Sequence, residues 1–83
     1  MRRCAVSITS NIAEGFSRHT YKDKVQFYSI SQGSVTELQS QIMIAKDVDY
    51  LNKNDFDKIA SQTVTVNKLI NGLIKKSKEI INS

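Results

Sequence analysis

Two groups of cationic side chains are the residues of this chain best suited to do chemistry. Arg2, Arg3, Arg18, His19, Lys22 and Lys24 cluster early, and Lys75, Lys76 and Lys78 lie near the end. Such groups suit phosphate contact, because Arg grips a phosphate through two N–H donors at once and Lys acts as a point charge. Tyr21 or Tyr28 would add a ring on which an unpaired base can stack. The plainer reading is that the late lysines complement the dipole at a helix C-terminus and the other cations are solvated. Antiparallel helices need not bring the two groups together.

Covalent and metal chemistry have little to work with. His19 and Cys4 are the only residues of their kinds, so no ligand set has metal-binding spacing. A nucleophilic Cys4 would need a base nearby, and His19 is several turns away. Cys4 instead reads as a small core residue. Asp47 and Asp49 make two carboxylates without further ligands, more in keeping with a solvated turn than with a metal. No catalytic motif is present, and the expectation is a non-enzymatic protein with no cofactor and no metal.

The elements that must position these residues are constrained by size. The chain has 83 residues, enough for one domain spanning 1–83. A domain this small buries only about 60–65% of the surface its unfolded chain exposes. Its core is therefore thin, and self-association is a natural supplement. Hydrophobic residues make up 40%, too many for disorder, and no apolar run approaches the ~20 residues of a membrane-spanning helix. Cys4 to Ile12 mixes apolar residues with Ser, Thr and Asn, unlike the core of a signal peptide. The single cysteine excludes an internal disulfide, so the expected compartment is the cytoplasm. The formal net charge is +4, which favours polyanions only weakly, since many small domains carry such a charge for solubility.

Periodicity predicts three helices. Phe56, Ile59, Thr63, Val66, Ile70, Leu73, Ser77 and Ile80 recur at steps of three and four, which keeps them on one side of a helix. Lys58, Asn67, Lys68, Lys75, Lys76, Lys78 and Glu79 fall largely off that seam. Asn52 caps this helix, with Asp55 three residues on. An earlier helix runs from about Tyr21 to Val48, capped by Thr20 with Asp23 in its first turn. Its main stripe is Val25, Tyr28, Val35, Leu38, Ile42 and Ala45, with Phe27, Ile30 and Ile44 beside it. Gly33 falls mid-helix at a cost of about 1 kcal/mol, and close approach of another backbone is the usual compensation. Arg2 to Glu14 forms the first helix, with Gly15 as its left-handed terminator. Ser7, Thr9, Ser10 and Asn11 are poor helix formers, so this helix needs tertiary support. The short link from Asp47 to Leu51 makes the second and third helices antiparallel neighbours.

Three strings carry a resemblance. Arg2-Arg3-Cys4-Ala5-Val6-Ser7-Ile8-Thr9-Ser10-Asn11-Ile12-Ala13-Glu14-Gly15-Phe16, then Gly33 to Gln41, then Asn71-Gly72-Leu73-Ile74 together resemble the bacterial four helix bundle protein family. Those proteins were first noticed as products of intervening sequences in large-subunit ribosomal RNA genes. The resemblance covers essentially the whole chain. It implies an antiparallel helical bundle that assembles into homo-oligomeric rings, commonly of five subunits. A related branch is the accessory protein of diversity-generating retroelements, a basic barrel that engages nucleic acid and a reverse transcriptase. Two departures stand out. The family usually has Pro where this chain has Thr9, which should make the first helix more continuous here. Members also normally carry a further amphipathic helix before the double arginine. That helix is expected either to have been lost by truncation or to come from another chain.

Within the matched strings, Asn11, Glu14, Ser34, Glu37 and Gln41 are the polar residues. They read either as a ligand site or, more plainly, as a hydrogen-bond network that fixes helix register, since buried polar groups need partners. Arg3 is expected to join the network by pairing with Glu14 or Glu37. The fold class expected is all-α, an antiparallel up-and-down helical bundle of three helices equivalent to helices two to four of a four-helix bundle. The expected function is a non-enzymatic homo-oligomer whose basic surface (Arg2, Arg3, Arg18, Lys22, Lys24, Lys75, Lys76, Lys78) contacts RNA, DNA or a nucleic-acid enzyme. The alternative is a structural module that accepts a partner helix in an apolar groove.

Overall fold

A computed structural model describes residues 1–83 as three helices and no strand. Helix α1 covers Arg2–Ser17, α2 Tyr21–Asp47 and α3 Lys53–Ile81, so that 87% of the chain is helical. The expected caps form. Thr20 Oγ1 accepts from the Asp23 backbone N–H at 3.2 Å, and Asn52 Oδ1 accepts from that of Asp55 at 2.8 Å. Each satisfies one of the N–H groups a helix start leaves orphaned. No break occurs at Thr9, whose hydroxyl donates to the Ala5 and Val6 carbonyls within an unbroken α1.

The helices lie side by side with α2 in the middle. No Cα of α1 comes within 8 Å of one in α3, while both flank α2. The molecule measures 48 × 19 × 13 Å, and its least dimension is close to one helix diameter. Only 11 of 83 residues are buried, because a single layer of helices cannot enclose a deep core. The centre of that core is Ile8, Tyr28, Val35 and Ile70, with Ile12, Leu38, Val66, Leu73 and Ile74 packed around it.

The two helix contacts differ in chemistry. The α1–α2 contact sets small and polar groups beside Ile8 and Ile12. Ser31, fully buried, donates through Oγ to the Ile8 carbonyl at 3.0 Å, and the Ser7 and Ser34 hydroxyls meet at 2.9 Å. Among the poor helix formers of α1, Ser7 is the one that lies against α2, braced by Asn11, whereas Thr9 and Ser10 are exposed. The α2–α3 contact is aliphatic, edged by amide bonds from Gln39 to Thr63 at 3.1 Å and from Gln32 to Asn71. The residues of α3 that become buried, Thr63, Ile70 and Ser77, recur every seven positions, the repeat expected where one helix tracks along another.

Two expectations need correction. Gly15 does not end α1 in a left-handed conformation, since no glycine has a positive φ and the helix runs on to Ser17. Gly15 is needed for closeness instead: a Cβ there would lie 2.5 Å from Tyr28 Cε1. The left-handed residue is Asp49, φ 60°, where the chain leaves α2 and the Tyr50 and Leu51 N–H groups fold back onto the Ala45 carbonyl. Asp tolerates that conformation better than most residues. The second correction concerns Ile30 and Ile44. Neither joins the core, and they are 51% and 62% exposed on the far side of α2.

Candidate nucleic-acid interface

Register decides where the cations go. The bonds Gln39–Thr63 and Gln32–Asn71, with the Lys46 ammonium over the Phe56 ring, fix how α3 runs back along α2. Lys78 follows Asn71 by as many residues as Val25 precedes Gln32, so Lys75, Lys76 and Lys78 arrive beside the start of α2. The end of α1 reaches the same place, because Lys24 Nζ donates to the Gly15 and Phe16 carbonyls at 3.0 Å each. One end of the rod thus holds Arg18, Lys22, Lys24, Lys75, Lys76 and Lys78, with His19 beside them, against the acids Glu14, Asp23 and Glu79. The opposite end, around the α2–α3 turn, holds Lys46, Lys53 and Lys58 against Asp47, Asp49, Asp55 and Asp57. The charge of the molecule is therefore polarised along its length. The antiparallel fold does bring the two groups together, apart from Arg2 and Arg3, which stand exposed at the start of α1, alongside the last turns of α2 and toward the opposite end.

Not every cation at the basic end is equally free. Arg18 pairs with Glu14 at 2.5 Å and stacks over the Phe27 ring at 4.7 Å. Lys24 is half-buried, and its ammonium donates to the Gly15 and Phe16 carbonyls at the end of α1. Lys22, Lys75, Lys76 and Lys78 are exposed and in no ion pair. Lys75 and Lys78 line a shallow, open concavity with Asn71, Glu79, Asn82 and Ser83. Of the two tyrosines expected to stack on bases, Tyr28 cannot. It is 2% exposed, and burial, then the neighbouring Tyr21, push its phenol pKa up. Tyr21 remains accessible at the basic end, as does Phe16, whose ring meets that of Tyr28 edge-on at 5.9 Å.

The polar set of the matched strings does not form one network. Ser34 joins Ser7, which accepts from Asn11 Nδ2 at 3.2 Å, so these three bridge α1 and α2. Farther along, Gln41 donates to Glu37 at 3.5 Å and accepts from the Cys4 thiol at 3.5 Å. Burial, with the Glu37 carboxylate second, raises the Cys4 pKa, which keeps the thiol protonated and unreactive. Glu14 stands apart with Arg18. The pairing expected of Arg3 does not form: the sole ion pair of the chain is Arg18–Glu14, because Arg18 lies one helical turn from Glu14 whereas Arg3 starts at the other end of α1. No three His, Cys, Asp or Glu side chains converge on a point that could hold a metal.

A second concave feature lies over the middle of α2. Ala5, Ile8 and Thr9 of α1, Val35 and Leu38 of α2, and Ile59, Gln62, Thr63 and Val66 of α3 line an apolar groove of about 200 Å³. It exists because α1 and α3 both flank α2 and no Cα of one comes within 8 Å of a Cα of the other.

An antiparallel all-α domain with one basic end and no assembled acid–base or metal set belongs to the class of small helical-bundle proteins. More narrowly, residues 1–72 match the family model described as 23S rRNA-intervening sequence protein, and the chain belongs to that family. No curated protein and no solved structure matches it. No helix is long and apolar enough to cross a membrane.

Proposed function

We propose that this protein is a non-enzymatic module whose basic end contacts the phosphates of structured nucleic acid. The observation that carries the reading is the gathering of Arg18, Lys22, Lys24, Lys75, Lys76 and Lys78 from three separate helix ends onto one end of the rod. Phosphate contact there draws on counterion release, so affinity is steep in salt. Exposed Lys22, Lys75, Lys76 and Lys78 supply most of the mobile charge, and Tyr21 and Phe16 offer faces to unpaired bases. Fluorescence anisotropy with an RNA hairpin and a DNA duplex, at about 50 and about 200 mM salt, tests this. Replacing Lys75, Lys76 and Lys78 together by Ala weakens binding uniformly across sequences and flattens the salt slope by about 3. Lys53→Ala with Lys58→Ala, at the other end, leaves binding as it was. Absence of binding at low salt removes the proposal.

A second reading has its own observation. The apolar groove above α2 has the shape and lining to take the apolar face of a helix from another chain. In that reading the protein is a protein-interaction module, and self-assembly into rings is one form of it. A synthetic amphipathic helix that fills the groove raises the melting temperature. A melting temperature unchanged at saturating peptide sinks this reading.

A further inference from the structure

Three flat faces stand open at the corner where α1 meets α2. Two are rings: Phe16 is 59% exposed and Tyr21 40%. The third is Arg18. Glu14 holds its guanidinium by one edge at 2.5 Å, and the Phe27 ring covers one face at 4.7 Å, yet the side chain is 43% exposed. Glu14 offsets its charge, so Arg18 adds little to counterion release at a phosphate. What it presents instead is a planar face, fixed in place from two directions. Lys24 pins the corner. Its ammonium donates to the Gly15 and Phe16 carbonyls and lies 5.8 Å from the centre of the Tyr21 ring. Phe16, Arg18 and Tyr21 therefore occupy a short stretch of chain that is tied down on both sides.

We infer that this corner takes unpaired nucleotides, so that the preferred ligand of the basic end is a single strand and not a duplex, an assignment that rests on the phosphate contact proposed above. The bases of a single strand can splay outward and stack on aromatic rings or on Arg guanidinium planes. Those of a duplex are already stacked on one another. Arg18 thereby serves as a stacking plate and not as a phosphate clamp, with Phe27 backing the plane and Glu14 locking its rotation. Lys in its place would keep the charge and lose the plane. The phosphates of the same strand fall to Lys22, which is exposed, in no ion pair and next in the chain to Tyr21. Charge alone dictates the opposite preference. A duplex releases more counterions per phosphate contacted, about 0.9 against about 0.7 for a single strand. Tyr50 supplies the contrast. Its ring is 83% exposed, but it follows Asp49 at the opposite end of the rod, among carboxylates that repel phosphate.

Fluorescence anisotropy on the full chain compares a labelled thymidine strand of about 12 nucleotides with a blunt DNA duplex carrying the same number of phosphates. The expected result is tighter binding of the strand, by about tenfold at about 200 mM salt, where the duplex loses its electrostatic advantage. Arg18→Lys gives the most discriminating readout. Single-strand affinity falls by about tenfold at every salt concentration, and the slope against salt is unaltered because the charge is kept. Tyr21→Ser lowers it by a similar factor, and Tyr21→Phe, which keeps the ring, restores it. Tyr50→Ser changes nothing. Far-UV circular dichroism confirms that each variant is folded, as expected for substitutions at exposed positions. A duplex that binds as tightly as the strand at both salt concentrations overturns the inference and leaves the phosphate reading standing. So does a single-strand affinity indifferent to both Arg18→Lys and Tyr21→Ser. Failure of both probes to bind at low salt removes the two together.

Discussion

Alanine at each of the three glycines is a controlled experiment on packing, because the chemical change is identical and all three sites are helical. In a helix interior Gly→Ala gains up to about 1 kcal/mol. At Gly33 and Gly72 an added Cβ meets nothing within 4 Å, so the gain stands and the dilute protein melts higher by about 4–8 °C per kcal/mol. At Gly15 the methyl lands 2.5 Å from Tyr28 Cε1 and 2.9 Å from Cδ1. The ring cannot swing clear, because it is 2% exposed and held edge-on against Phe16. Overpacking of this kind costs about 1–3 kcal/mol. The helix gain is smaller at Gly15, since α1 ends two residues later at Ser17. The net expectation is a loss of about 1–2 kcal/mol, opposite in sign to the other two variants. Urea denaturation followed by circular dichroism, at concentrations too low for association, measures all three. Adding Tyr28→Leu to Gly15→Ala recovers part of the loss, a coupling that distant sites would not show. Should Gly15→Ala stabilise as much as Gly33→Ala, the close approach of α1 to α2 is wrong.

Two further outcomes follow from the core. Ile70 is 0% exposed and meets Ile8, Tyr28 and Val35, so Ile70→Ala costs about 2–5 kcal/mol. That is most of what a small domain has, and the variant is largely unfolded by circular dichroism at room temperature, whereas Leu69→Ala, on the exposed side, shifts the urea midpoint little. Stability also falls in alkali. Cys4 and Tyr28 both have raised pKa values when folded. The folded state therefore holds their protons more tightly, and its advantage is full below their ordinary values near 9.0 and 10.0 and declines as pH rises through them. Melting temperature against pH shows a fall beginning near pH 9 that Cys4→Ala shifts upward. A flat profile to pH 11 would contradict the burial of both groups.

The residues that were hardest to read are informative about why. Ser7, Asn11, Ser31 and Ser34 look like weak helix formers in isolation, and only the α1–α2 contact shows that smallness and hydrogen bonding are their purpose. Ile30 and Ile44 sit one helical step from the core stripe, close enough to be read with it. A helix buried on one side leaves such flanking residues on either the dry or the wet side, and packing angle decides which.

Local chemistry alone determined the helices of this protein and their starts. Period, caps and the short turn act within a few residues of one another, so Thr20, Asn52 and the Phe56–Ile80 stripe need no distant partner to be read. The family was legible for the same reason, since it is carried by strings such as Ser10-Asn11-Ile12-Ala13-Glu14-Gly15. Tertiary structure alone decided which cations share an end, which tyrosine is accessible, what Gly15 is for, and that α1 and α3 leave a groove between them. Each of these depends on register between helices far apart in the chain, and register is set by the sum of many side-chain contacts that no single stretch contains.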